Sequence, residues 1–450
     1  MTRPLTRSSI FAQSWPIMLG QASIPLVGIV DTAVIGRTGE AVALAGVALG
    51  ATIIALVFWT FGFLRMGMTG LTAQAAGSDD RGEVEALLLR ALCIGFGLGL
   101  ILLALNWPIR ETALGVMSAT ERVNTAASGS MQGRFLGAPA ALCVYAINGW
   151  LLGLGRTREA LALQIAMNVC NIALDVWLVW RLDMGAFGVG LGTALAEWSA
   201  MVLGTVLAGR VAGAHILALA RRTSRAALLA SKRLKRLFAV NRDIMIRTVA
   251  LLILFTWFTN SGARLGATSL AANHVLMQFV AFAAFVLDAF AFTAEERVGS
   301  AIGRASRTEF VRAVRLAGEF SLLSAALFAF AFHIWGGAVV DLLTTDPAIR
   351  EEVRRFLPFA ALIPLVGLPS WLLDGVFIGA TRGSALRNAG IAATVLYIAT
   401  DLALRGYGNG GVWIAMCIGY IYRAGGLAIA FPRLLRSIEA SPHPQDRAID

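Results

Sequence analysis

Long apolar runs alternate with short polar segments along almost the whole chain. Runs of roughly 20 mainly apolar residues, the length of a membrane-spanning helix, start near residues 10, 42, 86, 124, 159 and 186, and again near 243, 269, 313, 355, 386 and 409. Alternating segments of about 10 residues, typical of membrane β-barrel strands, are not visible. The pattern therefore predicts an all-α polytopic membrane protein with twelve transmembrane helices.

The composition supports this prediction. Of the 450 residues, 57% are hydrophobic and 14% are charged, whereas a soluble domain typically carries about 25% charged residues. The first apolar run is too long for a signal-peptide core and lacks a small-residue cleavage site, which indicates a retained helix. The four cysteines (Cys93, Cys143, Cys170 and Cys417) lie inside apolar runs, so a disulfide framework is not expected.

The net charge of +11 belongs largely to loops. If the N-terminus is cytoplasmic, the inside loops carry roughly twice as many basic residues as the outside loops, which favours cytoplasmic N- and C-termini. The segment "RRTSRAALLASKRLKR" (Arg221–Arg236) could bind nucleic acid or a calmodulin-type partner. We favour an interfacial helix on anionic lipid headgroups, and hence membrane lipid rather than nucleic acid as its partner.

The chain also repeats itself at an offset of about 226 residues. "GRTGEAVALAGVAL" from Gly36 aligns with "ARLGATSLAANHVL" from Ala263, "NGWLLGLGRT" from Asn148 aligns with "DGVFIGATRG" from Asp374, and Asp175 falls on Asp401. Six spans separate matching elements, so the two halves run in the same direction, a known transporter architecture. The repeat predicts two pseudo-symmetric six-helix bundles. Their boundaries are predicted as residues 1–212 (N-lobe), 213–238 (basic cytoplasmic linker), 239–432 (C-lobe) and 433–450 (cytoplasmic tail).

Polar side chains cluster at one depth of the N-lobe. Asn168, Asn171 and Asp175 share a helical face in "MNVCNIALD", and the predicted orientation places Asp31 and Thr193 at a similar depth. Two neighbouring buried carboxyl groups can share a proton, because burial and like charge disfavour two negative charges. The same oxygens could instead hold Na⁺, or the cluster could simply join helices. We favour a functional role because two acids occur together.

The first span contains two prolines, Pro16 and Pro25, on either side of Gln21. A proline removes a backbone hydrogen bond and permits a kink. Two interpretations remain open here, a static kink and a helix that bends when Asp31 changes its protonation.

The C-lobe carries its own acids. Asp288 and Glu295 lie two turns apart on one face, and Asp374 and Asp401 lie in later spans; each could contact a cationic substrate or form a structural pair. Methionine and aromatic side chains suit flat, lipophilic cations, although on membrane helices they mostly pack. The candidate substrate contacts are Gln21, Asn168, Asp288, Glu295, Met66 and Phe290.

No metal-ligand spacing, Walker loop or nucleophile elbow occurs in the sequence. We therefore expect neither an enzyme nor a cofactor, and no metal apart from the coupling ion. Without an ATP site, transport must draw on an ion gradient.

Several motifs resemble the MATE (multidrug and toxin extrusion) family, specifically its DinF-type branch: "VDTAVIGRTG", "FGFLRMGMTGLTAQAAG", "NRDIMIRTV", "GARLGATSLAANHVLMQF", "LDAFAFTAEERVGSAIG" and "LLDGVFIGATR". The resemblance covers nearly the whole chain. It implies two six-helix lobes and cation-coupled efflux by alternating access. It also implies that Pro16 and Asp31 form the coupling element, with Pro16 as the hinge, and that Asn171, Asp175 and Thr193 complete the N-lobe site.

One feature departs from the family pattern. Some branches carry an acid in the seventh span, but here its core reads "TVALLILFTWFTNSG", and Asp243 lies at the start of that span. A cation site in the C-lobe is therefore not assigned.

The predicted function is export of small lipophilic, often cationic, drugs or toxins, coupled to H⁺ in preference to Na⁺, by a monomer in the bacterial inner membrane. The alternative is a flippase for a lipid-linked or polysaccharide precursor, which should line its cavity with Arg and Lys; Arg65 and Arg134 are the candidates. A lipid-acting metalloenzyme would need acids clustered at one membrane face, and a structural scaffold would not need buried acids in both halves.

Overall fold

Every element of secondary structure in the described part of the chain is helical. The computed structural model describes residues 5–117 and 119–439, so the predicted tail lies outside the described residues from position 440 onward. The helices of the first half are α1 (Arg7–Gly36), α2 (Ala41–Thr60), α3 (Phe63–Gly77), α4 (Arg81–Ala104), α5 (Asn106–Val116), α6 (Glu121–Phe135), α7 (Ala138–Gly153), α8 (Thr157–Trp180) and α9 (Gly185–Ala212).

Two short helices connect this half to the next. They are α10 (Ile216–Arg222) and α11 (Arg225–Leu228). The second half contains α12 (Ser231–Arg264), α13 (Ala267–Gly303), α14 (Arg307–Leu343), α15 (Pro347–Gly379), α16 (Gly383–Ala403), a 3₁₀ turn (Arg405–Tyr407) and α17 (Gly408–Glu439).

Most of these helices are long and apolar enough to cross a membrane. Among the described residues, nine stretches meet this criterion alone, and α6 with α7, bent by 54°, makes a tenth if the pair is one span. The predicted second span is not one uninterrupted helix, because a turn at Phe61–Gly62 separates α2 from α3. Helices α12 and α16 lie where the seventh and eleventh spans are predicted, so the described helices fill all twelve predicted positions.

The described chain forms two compact units. The first contains the residues up to Met18, Ala73–Asp79 and those from Arg236 onward; the second contains Leu19–Thr72 and Asp80–Lys235. Because the division falls inside α1, Pro16 belongs to the first unit and Asp31 to the second. The lobe boundaries expected from the sequence stay a prediction.

The backbone repeats at the offset found in the sequence. Asp79 and Ala305 both adopt left-handed backbone angles (φ 56° and 53°), as do Gly155 and Thr381 (φ 69° and 53°), and each pair is 226 positions apart. The residue after the first pair caps the next helix in both halves: Asp80 accepts from the amide of Glu83 at 2.9 Å, and Ser306 accepts from that of Glu309 at 3.3 Å. These S/D-x-x-E caps start α4 and α14 alike.

Close helix crossings repeat in the same way. A Cβ added at Gly149 of α7 would overlap the carbonyl oxygen of Arg65 of α3, and one added at Gly375 of α15 would overlap that of Ala291 of α13. Both glycines and both carbonyls are 226 positions apart. Glycine is needed at these crossings because a side chain would push the two backbones apart.

The basic linker differs from the single interfacial helix expected. It contains α10 and α11, and its last residues already belong to α12, which begins at Ser231 rather than near residue 243. Several of its positive charges pair with acids of α4: Arg222 binds Glu85 (Nε to Oε2, 3.0 Å), and Arg233 binds Glu83 and Asp80. The hydrogen bond that Arg233 donates to Glu83 holds the pKa of Arg233 above its ordinary value.

We predict that Gly375→Ala destabilises the protein by about 1–3 kcal/mol, the usual cost of overpacking a tight core. The added methyl group would press on the backbone of α13. Thermal unfolding of the purified protein in detergent measures the effect. Gly97→Ala is the matched control, because a Cβ at Gly97 meets nothing within 4 Å and alanine favours a helix over glycine. Equal losses in both variants would contradict the requirement for glycine at this crossing.

Candidate polar site between α1, α8 and α9

Three helices of the second unit bring the four predicted ion-coupling residues together. Asp31 lies on α1, Asn171 and Asp175 lie one turn apart on α8, and Thr193 lies on α9. The amide nitrogen of Asn171 donates to Asp175 Oδ2 at 3.0 Å and to Thr193 Oγ1 at 3.1 Å. Thr193 in turn donates to the carbonyl oxygen of Val189 at 3.1 Å. Asn171 therefore fixes the position of the Asp175 carboxyl group relative to α9.

The carboxyl groups of Asp31 and Asp175 are neighbours in this site. Asp175 is completely buried and Asp31 is partly buried, and their side chains interact directly. Two carboxylates can only accept hydrogen bonds, so a bond between them requires a proton on one of them. The geometry suits a pair of acids that holds one exchangeable proton.

Three buried oxygen atoms of this cluster have no hydrogen-bond partner among the described residues. They are Oδ1 of Asp31, Oδ1 of Asn171 and Oδ1 of Asp175. No group of three or more His, Cys, Asp or Glu that could hold a metal ion occurs in the described part of the chain. Hard cations, however, also take amide and hydroxyl oxygens, so this oxygen set remains compatible with Na⁺ as well as with a proton.

Gly192 makes room for the Asp175 carboxyl group. A Cβ added at Gly192 would overlap Asp175 Oδ1, so the glycine on α9 lets the carboxyl group lie directly against the helix backbone. Sequence reasoning missed this role. The run "GVGLGTALAE" contains several glycines, and spacing alone does not show which one faces an acid.

Neighbouring contacts hold the carboxyl end of α1 against α8 and α9. The indole nitrogen of Trp180 donates to the carbonyl oxygen of Val34 at 2.9 Å, and Val34, Ile35, Val179 and Val189 share one buried apolar cluster. The Asp31 backbone lies one turn away from this cluster. These contacts position the end of α1 that carries Asp31 against α8 and α9.

A second polar layer follows along α8. Asn168 donates to Ser23 Oγ at 2.9 Å and accepts from Gln164 at 2.9 Å. Gln21, a candidate substrate contact, is partly buried on α1. Asn168, another candidate, is thus already engaged in a helix-to-helix contact.

One charged pair of this unit was not predicted from the sequence. Arg134 of α6 donates to Glu197 of α9 (Nη2 to Oε1, 2.5 Å), and its guanidinium lies 4.5 Å from the ring centre of Phe58. The positive charge of Arg134 also acts on Asp31. Arg134 is one of the two arginines that the sequence offers as cavity residues. Glu197 is an acid inside an apolar run, in "LAEW", and this feature could have identified it as a partner for a buried arginine.

The acids of the second half have different partners. Asp401, the repeat counterpart of Asp175, accepts hydrogen bonds from Trp257 (2.9 Å), Ser261 (2.8 Å) and Arg264 (3.3 Å). Its charge is balanced by an arginine rather than shared with a second acid. Asp401 is therefore suited to joining α12 and α16.

Asp374 pairs with two arginines. Arg247 of α12 and Arg423 of α17 both contact its Oδ2, and all three side chains are buried. One carboxylate thus joins guanidinium groups from two different helices. A buried ion pair is costly to break from one side, because the remaining charge has no compensation.

The remaining candidate substrate contacts occupy different environments. Glu295 and Phe290 are buried, and Phe290 stacks on Phe320 at 5.8 Å. Asp288 and Met66 are partly buried. Among the described residues, the structure brings the predicted ion-coupling set into direct contact but shows no shared contact for the whole predicted substrate set.

The family model MatE matches the chain twice, over residues 16–177 and 244–402. The chain belongs to the MatE family. The two matches coincide with the two halves of the internal repeat. They agree with the predicted duplication and confirm the family resemblance.

Relatives agree with this membership. DNA damage-inducible protein F of Escherichia coli strain K12 is 36% identical over 427 residues, which cover 94% of this chain and 91% of that protein; the predicted DinF-type relationship is confirmed. The probable multidrug resistance protein NorM of Pseudomonas syringae pv. tomato is 26% identical over 449 residues, 94% of each chain.

A solved structure shows the same fold. The Vibrio cholerae MATE transporter VcmN in the bent form superposes with a TM-score of 0.85 at 19% identity, covering 96% of this chain and 97% of that one. The predicted all-α membrane fold is thereby confirmed. As a member of the MatE family, the protein is a membrane transporter and not an enzyme.

We predict that Asp374→Asn destabilises this MatE-family protein by about 3–5 kcal/mol, the usual cost of leaving a buried charge without its partner. The loss follows because the buried guanidinium groups of Arg247 and Arg423 would lose the carboxylate that both of them contact. Thermal unfolding in detergent measures the change. Glu159→Gln is the control, because Glu159 forms an exposed pair with Arg156 that is worth less than about 1 kcal/mol. Similar losses in both variants would show that the two arginines do not depend on Asp374.

Proposed function

We propose that the protein is a cation-coupled antiporter that exports small lipophilic, often cationic, compounds by alternating access, with H⁺ favoured over Na⁺ as the coupling ion. The observation that carries the proposal is the contact of α1, α8 and α9 in one polar cluster, where Asn171 binds Asp175 and Thr193 and a buried oxygen of Asp31 lies on the neighbouring helix. The NorM relative, named as a probable multidrug resistance protein, supports a drug-like substrate class. The proposed site consists of Asp31, Asn171, Asp175 and Thr193.

The exchange of a coupling proton for substrate follows from this contact. With one proton shared, the pair carries a single negative charge that can attract a cationic substrate into the N-lobe. A second proton neutralises the pair and removes that attraction. Proton binding and substrate binding are then alternatives at one pair of carboxyl groups, which is the requirement for antiport.

Helix α1 is the proposed moving element, with Pro16 as its hinge. Proline lacks the N–H that would bond to the carbonyl four residues earlier, so Pro16 and Pro25 leave the carbonyls of Ala12 and Gln21 without their usual helical partners. Both missing hydrogen bonds lie between the start of α1 and Asp31, so this part of the helix bends more easily. A change in the charge of Asp31 can therefore favour bending of α1.

We predict that Asp31→Asn abolishes drug efflux, because an amide can neither gain nor lose the coupling proton. Ethidium efflux from cells expressing the protein measures this, with the proton and sodium gradients collapsed separately. Asp183→Asn is the matched control, since it removes an exposed carboxylate in the loop after α8. Equal surface expression of all variants must be verified.

Wild-type efflux that stops when the proton gradient collapses identifies H⁺ as the coupling ion, and efflux that stops with the sodium gradient identifies Na⁺. Efflux by Asp31→Asn at the wild-type rate would overturn the coupling role. Failure of the wild type to move any of a panel of lipophilic cations would overturn the substrate class.

We also predict that Gly192→Ala strongly reduces efflux, because the added methyl group displaces the Asp175 carboxyl group from its position against α9. The same efflux assay measures the loss. Gly28→Ala is the control on α1, where a Cβ would meet nothing within 4 Å. A variant at Gly192 that folds normally and transports at the wild-type rate would contradict the proposed position of Asp175 in the working site.

A second candidate function is export of an anionic, lipid-linked or polysaccharide precursor. The two buried arginines that contact Asp374, Arg247 and Arg423, favour it, because an anionic cargo needs positively charged side chains. The N-lobe site, with two acids, one amide and one hydroxyl group, favours cationic cargo instead. If the purified protein in vesicles translocates a fluorescent anionic lipid but does not transport ethidium, export of an anionic precursor becomes the favoured function.

The same proposal includes the setting of the transporter. It acts as a monomer in the bacterial inner membrane with both termini in the cytoplasm, as the excess of basic residues in the inside loops indicates. The N-lobe spans residues 1–212, the linker 213–238 and the C-lobe 239–432, followed by a cytoplasmic tail. Small substrates and membrane lipid are its partners, and it needs no cofactor beyond the coupling ion.

A further inference from the structure

A basic cleft lies where α1 and α14 begin, within the first unit. It encloses about 960 Å³ between residues 6–8 and the first turns of α14 (residues 307–319). Four arginines and one glutamate line it, for a net charge of +3: Arg7, Arg307, Arg312, Arg315 and Glu319. The cleft plays no part in the proposed coupling site.

The positive charge of the basic cleft is only partly balanced. Glu319 accepts hydrogen bonds from Arg7 (Nε to Oε2, 3.0 Å) and from Arg315 (Nε to Oε1, 3.1 Å). Arg312, which is exposed, forms no ion pair with the residues that the structure describes. Its guanidinium group is therefore available to an anion in the cleft.

The face of α14 that forms the cleft continues into an apolar surface. Arg312, Arg315 and Glu319 share one helical face with Leu323, Leu327 and Phe330, because the steps between successive members are three or four residues. Leu323, Leu327 and Phe330 are all exposed. The side chains of this face thus change from charged to apolar near Glu319.

This change marks the boundary between lipid headgroups and hydrocarbon. The apolar part of α14 from Phe320 to its end at Leu343 matches the roughly 20 residues that cross the hydrocarbon core. The arginines then lie at headgroup level, where they can bind phosphate. On α1, Phe11 is exposed and its ring lies 6.1 Å from that of Phe320, so apolar side chains border the cleft on this side too.

We propose that the basic cleft binds the headgroup of an anionic phospholipid, with an acyl chain lying along Leu323, Leu327 and Phe330. The charge selects an anionic headgroup, and the continuous apolar face selects a lipid over a free phosphate ion. Such a lipid contacts Arg7 of α1 and Arg312 of α14 at the same time. It would therefore link the beginning of α1 to α14.

Lipid binding by the purified full-length protein, measured by native mass spectrometry, tests the proposal. The protein in detergent is titrated with phosphatidylglycerol or with phosphatidylcholine. We expect phosphatidylglycerol to bind more tightly, and Arg312→Gln to weaken its binding about fivefold, the usual effect of removing one positive charge near a membrane surface. Leu323→Ser should also weaken phosphatidylglycerol binding, through the acyl chain, without changing the charge.

Arg158→Gln is the control, because Arg158 is an exposed arginine in the first turn of α8 and lies outside the cleft. Equal thermal midpoints without added lipid show that each variant is folded. Equal weakening by Arg158→Gln and Arg312→Gln would overturn the proposal in favour of general surface charge. Full displacement of the lipid by millimolar inorganic phosphate, with no effect of Leu323→Ser, would overturn it in favour of a phosphate site.

Discussion

The carboxyl group of Asp175 has no exposed surface, and in a hydrocarbon environment each of its oxygens must find a partner within the protein. One oxygen is held by Asn171. The other, Oδ1, lies against the backbone at Gly192 and has no hydrogen-bond partner among the described residues. The neighbouring Asp31 carboxyl group can donate to it only when it carries a proton. An amide on α8, a glycine on α9 and an acid on α1 thus meet at this one buried carboxyl group.

In the other half of the repeat, the corresponding buried acid has different partners. Asp401 occupies the position that corresponds to Asp175 and is equally buried, but its partners are an arginine, an indole and a hydroxyl. Its carboxylate is thus engaged by an arginine and not by a second acid. The position shared by the two repeats therefore has an acid as neighbour in one half and an arginine as partner in the other.

Much of the fold could be predicted from the sequence because membrane helices are encoded locally, by runs of apolar residues of a set length. The grouping of Asp31, Asn171, Asp175 and Thr193 could be predicted from helical spacing and depth. The Arg134–Glu197 pair, the two arginines around Asp374 and the role of Gly192 could not. These features depend on which faces of different helices meet, and spacing along one chain does not record that. The start of α12 at Ser231 was missed for another reason: its first turns are charged, so hydropathy does not distinguish them from a linker.

The left-handed residues of the two halves have a further consequence. Gly155 in one half is replaced by Thr381 in the other, yet both keep the same backbone angles, although a residue with a Cβ pays a free-energy cost there. The turn is therefore imposed by the helices on either side of it rather than by the residue within it. The backbone conformation of the two repeats is thus kept at positions where their amino-acid sequences differ. The order of left-handed positions along a chain could then reveal ancient duplications whose amino-acid sequences no longer align.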